Sequence, residues 1–235
     1  MPNKRIYLYP VWIRLWHTIN AILMVLLILS GLSMQYSNPD YPLIRFDLAV
    51  KMHNISGILL TVFFLYFLLA IIFNWAGKYY RMPLKEFGDH IFKQVKYYTV
   101  GIFRGDKPPF PVNEQRKFNP IQLLSYNAIQ FLAIPLVIIT GWALLFPETI
   151  VLDFFGYSGI LLTSLLHVSM GFIISIFLII HLYFITVGHS VTANLKSIVT
   201  GYHEVEEEDT LAARTPESNT TLDKNNKTHT KNPKT

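Results

Sequence analysis

Residues 160–187 read ILLTSLLHVSMGFIISIFLIIHLYFITV, an apolar run interrupted by two histidines, His167 and His181, fourteen positions apart. At about 100° and about 1.5 Å per residue, a helix brings the second imidazole back to within about 40° of the first and about 21 Å further along the axis. One helix face thus carries two imidazoles at opposite depths. An apolar run of this length is expected to cross a bilayer, where ionisable side chains are costly, point inward and mark function. The spacing predicts two stacked metal sites.

The rest of the chain agrees with a membrane setting. Of the 235 residues, 51% are hydrophobic, 14% aromatic and only 15% charged. Mean hydropathy is +0.34, outside the range of an ordinary soluble domain. Cysteine is absent, which excludes disulfides, thiolate-bound iron–sulfur clusters, Cys-containing zinc sites and the CxxCH attachment of c-type haem within this sequence. The net charge of +5 does not point to nucleic acid, because the basic residues gather beside apolar spans, as membrane topology requires.

Four spans are predicted, at about 11–36, 53–75, 120–146 and 160–187. Residues 1–10 carry Lys4 and Arg5, but the run after them is too long for a signal-peptide core and is expected to remain as the first span. Residues 76–119 form the longest connection, where Leu84, Phe87, Ile91, Val95 and Tyr98 recur at helical spacing among lysines. A helix lying on the membrane surface and binding anionic lipid is expected there. Pro135 should kink the third span. Basic residues crowd the N-terminus and the 76–119 connection, whereas 37–52 and 147–159 hold Arg45 and Lys51 against Asp40, Asp47, Glu148 and Asp153. The positive-inside rule puts both termini in the cytoplasm. The expected fold is therefore an all-α, four-helix membrane bundle in a bacterial cytoplasmic (inner) membrane, with a di-haem domain over 11–190 and a polar, disordered tail over 202–235.

In this topology His17 and His181 lie near the inner face, and His53 and His167 near the outer face. Two opposed neutral imidazoles in an apolar bundle suit iron porphyrin, since the macrocycle supplies four nitrogens and the protein fills the two axial positions. Two six-coordinate haems b follow, the inner held by His17 and His181 and the outer by His53 and His167. With both axial positions filled, the iron relays electrons and offers no open position to substrate. Gly57 and Gly171 each follow an outer ligand by four positions, where a missing side chain admits a flat ring or simply eases helix packing. Arg14, one turn before His17, suits haem propionates or ordinary snorkelling to the interface. His189 rivals His181 as the inner ligand, while His90, His203 and His229 read as solvated.

Arg14-Leu15-Trp16-His17, His53-Asn54-Ile55-Ser56-Gly57, Lys117-Phe118-Asn119-Pro120-Ile121-Gln122, Thr140-Gly141 and the His167 to His181 run resemble the bacterial di-haem cytochrome b family. This family includes the membrane subunits of formate dehydrogenase, thiosulfate reductase and nickel–iron hydrogenase, and is similar to prokaryotic cytochrome b561. The resemblance covers about residues 10–190. It implies that the four histidines ligate two haems, the first and second spans each pairing with the fourth. It also implies a menaquinone or ubiquinone site near the inner haem involving Asn119, which in its own right reads as a helix N-cap before Pro120; Gln122 is a weaker candidate. The Lys-Phe-Asn-Pro form resembles thiosulfate reductase membrane subunits more than formate dehydrogenase ones.

The function expected is a membrane-anchoring cytochrome b subunit. It passes electrons between the quinone pool and an outer-face iron–sulfur subunit with its molybdenum or nickel–iron catalytic subunit. Quinone or quinol chemistry would be the only chemistry of this chain. The alternatives are a stand-alone cytochrome b561 oxidoreductase using superoxide or another small donor, and a cofactor-free scaffold or transporter with hydrogen-bonding histidines.

Overall fold

The computed structural model describes residues 3–36, 38, 40–73, 75–82, 85–110, 117–150, 153–186 and 192–206. Among them, four helices are long and apolar enough to cross a membrane: α1 Val11–Gln35, α2 Phe46–Phe73, α4 Pro120–Leu145 and α5 Gly159–Ile185. Helix α1 packs along α2, and the second half of α4 along α5, so the bundle is two helical hairpins laid together. Large apolar side chains such as Leu15, Val62, Ile139 and Ile179 remain exposed on the outside, the arrangement a bilayer stabilises.

Helix α2 starts seven residues before the 53–75 span read from apolarity. Asp47 and Lys51 interrupt the hydrophobic run but not the helix. Ser33 Oγ anchors the preceding loop, donating to the Ile44 carbonyl at 2.9 Å and accepting from the Ile44 N–H at 3.0 Å. His53 therefore lies two turns inside α2 rather than at its start. In α4, a wide π turn over Ile129–Ala133 interrupts the α-helix just before Pro135. Proline has no N–H, and its ring crowds the carbonyl four residues back, so one loosened turn accommodates it without ending the helix.

The connection between hairpins contains α3, Phe87–Lys96, which runs on through a π turn at Tyr97–Gly101 to Ile102–Arg104. Phe92 and Val95 are exposed on it while Gln94 is buried. Leu84, part of the expected stripe, lies outside the described residues. A two-residue turn, Phe155 and Gly156 with φ of 51° and 80°, joins the short strands β2 Asp153–Phe154 and β3 Tyr157–Ser158, the left-handed geometry of a tight hairpin.

The largest departure from expectation is at the chain ends. Strand β1, Asn3–Tyr7, pairs antiparallel with β4, Tyr202–Glu206, from Asn3↔Glu206 to Tyr7↔Tyr202. Residues 202–206 thus belong to a sheet, not to a disordered tail; residues 207–235 lie outside the described residues. Helix α6, Ala193–Thr200, leads into β4 through Gly201. Gly201 has φ of 87°, and its carbonyl accepts from both Leu8 and Tyr9 N–H. A Cβ there would stand 2.7 Å from the Tyr9 carbonyl oxygen, so only glycine fits. This sheet brings residues 3–7 and 202–206 together at one end of the bundle.

Candidate functional site

Four histidines face the bundle interior in two layers. Near the chain ends, His17 of α1 and His181 of α5 bring their ring centroids to 6.3 Å, with planes at 53°. In the other layer, His53 of α2 and His167 of α5 stand 6.1 Å apart at 66°. We call these the terminal and the remote layer. Fourteen residues of α5 separate them, about 21 Å of helix rise. Between the layers, Phe64, Ala133, Ile134 and Ile174 form a buried apolar cluster with Met24, Val137 and Met170 packed against it. Ile174 stands midway between His167 and His181 in sequence, so the cluster insulates one layer from the other.

The remote layer opens on a cavity of about 670 Å³, lined by His53 and His167 and by Gly31, Gly57, Gly141 and Gly171 among others. The volume is that of a pocket for a sizeable organic ligand. A Cβ added at Gly57 or Gly171 would meet nothing within 4 Å, so both glycines border open space. Gly31 and Gly141 do something different: a Cβ there would stand 3.4 Å from His53 Cε1 and 3.2 Å from His167 Cε1. These two glycines let the imidazoles approach the neighbouring helices closely. Next to them, Ser30 Oγ lies 3.0 Å from His53 Nδ1 and Thr140 Oγ1 lies 2.9 Å from His167 Nδ1.

The terminal layer is held by rings. His181 stacks on Phe177 at 5.6 Å and 18°, and its Nδ1 faces Tyr126 Oη at 3.4 Å, beyond a normal hydrogen bond. Tyr126 meets Phe118 edge-on at 5.1 Å, and Trp16 stacks on Phe67 at 4.4 Å. Below these rings lies a polar cap. Arg14 Nη1 donates to the Thr200 carbonyl at 2.5 Å, while its Nε is buried without a partner. Lys117 Nζ donates to the Leu8 carbonyl and sits 4.1 Å above the Tyr79 ring. Burial pushes the Tyr9 phenol up, and burial followed by the neighbouring Tyr9 pushes Tyr80 up to about 12. Both phenols therefore stay protonated at neutral pH.

Asn119 caps α4 in a complete capping box. Its Oδ1 accepts from Gln122 N–H at 2.9 Å, and its own N–H donates to Gln122 Oε1 at 3.1 Å. The amide is not idle beyond this: Nδ2 donates to Tyr98 Oη at 3.0 Å, leaving one N–H. Tyr98 packs against Phe184 with centroids 5.4 Å apart, one turn of α5 from His181, so Asn119 sits beside the terminal layer. Among the described residues, no group of three or more His, Cys, Asp or Glu side chains gathers as a metal site. His189 and His229 lie outside the described residues. His90 faces Glu86 at 3.6 Å. His203 is not simply solvated: its Nδ1 lies 2.9 Å from Ser197 Oγ, because β4 holds it over α6.

Four apolar spans with facing imidazoles at two depths define a helical membrane protein with histidine pairs in its interior. The chain belongs to the prokaryotic cytochrome b561 family, whose model matches residues 8–201. It is similar to the protein described as "Putative cytochrome YdhU" from Escherichia coli (strain K12), with 35% identity over 201 residues, 86% of this chain and 76% of that one. The protein is thus a membrane cytochrome of b561 type, and membership implies haem b and electron transfer.

Proposed function

We propose that the chain carries two haems b, one in each imidazole layer, and conducts electrons between a quinone and an outer-face partner oxidoreductase. The observation that carries this reading is the spacing within each pair. If the two imidazoles of a pair held one metal between them, a metal–nitrogen bond of about 2.0 Å plus roughly 1.1 Å from nitrogen to ring centre would put their centroids about 6.2 Å apart. The pairs stand at 6.3 and 6.1 Å. Such a spacing would accommodate one iron between the two rings. The open faces of Gly57 and Gly171 suit a flat macrocycle in the remote layer. The unpartnered, buried Nε of Arg14 suits a propionate beside the terminal one.

Bound haem iron supplies one-electron oxidation and reduction. The chain's residues do the rest. His17 with His181, and His53 with His167, would hold the two haems by their imidazole nitrogens; α5 links the two layers, and the apolar cluster between them disfavours water. By the positive-inside rule, both chain ends and α3 face the cytoplasm of a bacterial inner membrane, so the terminal layer is the inner one. We put the quinone site beside it; supporting this, Asn119 keeps one N–H available and Tyr98 holds the amide in position. The partner expected on the outer face is an iron–sulfur subunit with a molybdenum or nickel–iron catalytic subunit, because this cysteine-free chain holds no cluster of its own.

The test is a reduced-minus-oxidised spectrum of the purified protein with menaquinol or ubiquinol as sole reductant. A b-type band supports the reading; failure of both quinols to reduce a haem that dithionite reduces overturns the quinone role. Co-purification with a cluster-bearing subunit supports the anchor role. A chain isolated alone from its native membrane and reduced by superoxide would establish the stand-alone oxidoreductase instead.

A further inference from the structure

Both imidazoles of the remote layer rest on a hydroxyl that is itself tied to backbone. Ser30 is 0% and Thr140 5% exposed. Ser30 Oγ lies 2.6 Å from the Leu26 carbonyl oxygen and Thr140 Oγ1 lies 2.7 Å from that of Leu136. A carbonyl only accepts, and two oxygens this close repel unless a proton lies between them. The single hydroxyl proton is therefore committed to the carbonyl in each case. The remaining contact, 3.0 Å to His53 Nδ1 and 2.9 Å to His167 Nδ1, must then be donated by the imidazole. That assignment places the ring proton on Nδ1 and leaves Nε2 as the nitrogen whose lone pair could bind a metal.

The device occurs twice, once in each hairpin. In α1 and α2, Ser30-Gly31 faces His53, with Gly57 four residues on; in α4 and α5, Thr140-Gly141 faces His167, with Gly171 four residues on. The hydroxyl orients the ring, the adjacent glycine gives it room, and the later glycine leaves the cavity open. The terminal layer is built otherwise, with Tyr126 Oη at 3.4 Å from His181 Nδ1.

We infer that Ser30 and Thr140 are positioning residues that lock both axial histidines of the remote layer in the Nδ1–H tautomer and lower the reduction potential of the haem held there. The inference rests on the ligation set out under Proposed function. A donated Nδ1–H bond increases electron donation from the ring to iron, which favours the ferric state. The hydroxyls act through the histidines and touch no reacting atom.

The test is an optical redox titration of the full-length protein in membranes, comparing wild type with Thr140→Val, Ser30→Ala and Thr140→Ser. The remote haem is identified as the signal missing from His167→Ala. We expect Thr140→Val and Ser30→Ala to raise its potential, with a roughly tenfold change in ferric-to-ferrous ratio, about 59 mV for one electron. The terminal haem should stay in place and Thr140→Ser should restore wild-type behaviour. Selective loss of the remote haem in Thr140→Val, with Thr140→Ser normal, supports the same role. Unchanged potentials, or equal shifts of both haems, overturn it. If no wild-type signal disappears in His167→Ala, the ligation reading itself fails, a result separate from an unmoved potential.

Discussion

The two imidazole layers share helix α5 but solve the problem of holding a polar ring in an apolar bundle differently. In the remote layer, backbone-tied hydroxyls fix His53 and His167, and glycines leave a cavity of about 670 Å³ beside them. In the terminal layer, Phe177 and Tyr126 crowd His181, and a polar cap of Arg14, Lys117 and Asn119 lies below. Fixed dipoles suit a carrier that only exchanges electrons. Polar side chains that retain unused donors, such as Arg14 Nε and one N–H of Asn119, suit the quinone and propionate contacts proposed for that end. The contrast teaches that one helix can present two identical imidazoles in unequal surroundings, so that their chemistry need not be the same.

The sharpest way to break the contrast is to remove one ligand from each layer. His167→Ala should abolish the remote haem and His181→Ala the terminal one, each leaving about half the haem absorbance; quantitative haem extraction checks this, and identical spectra from the two variants would mean that the layers are not independent. A cavity test follows. Gly171→Leu should fill the open space beside His167, sharply lowering remote haem occupancy while sparing the terminal haem, since a branched side chain of that size leaves no room for a macrocycle. Full occupancy of both would move the cofactor away from Gly171. At the terminal end, Asn119→Ala should slow quinol oxidation by roughly tenfold or more with both haems retained, as for loss of a positioned polar contact. Loss of the cap also costs about 1 kcal/mol of stability, so turnover should be normalised to haem. Unchanged turnover would restrict Asn119 to capping.

Much of this arrangement is legible in the sequence because the bilayer imposes long, nearly uninterrupted apolar runs, and histidine inside such a run has few inexpensive uses. The depth of each histidine follows from helix rise, and the structure brings His17 beside His181 and His53 beside His167. Other features leave weaker signals. The seven residues that extend α2 back to Phe46 include Asp47 and Lys51, because a helix can leave the apolar zone without ending. Strand β4 has no alternating pattern to announce it; backbone pairing with β1 and the left-handed Gly201 hold it. Ser30 and Thr140 lie a loop away from the histidines they support, and single-helix periodicity does not say which neighbouring helix a residue meets. The repeated Ser/Thr-Gly before a His-x-x-x-Gly was the available signal, visible once both hairpins are compared.

The central claim is that each layer holds one iron ring. The most direct measurement is the ratio of haem b to polypeptide in the purified protein, by pyridine haemochrome assay against amino-acid analysis. Two per chain are expected; a ratio of one would remove a layer from the electron path, and a ratio near zero would contradict haem binding outright.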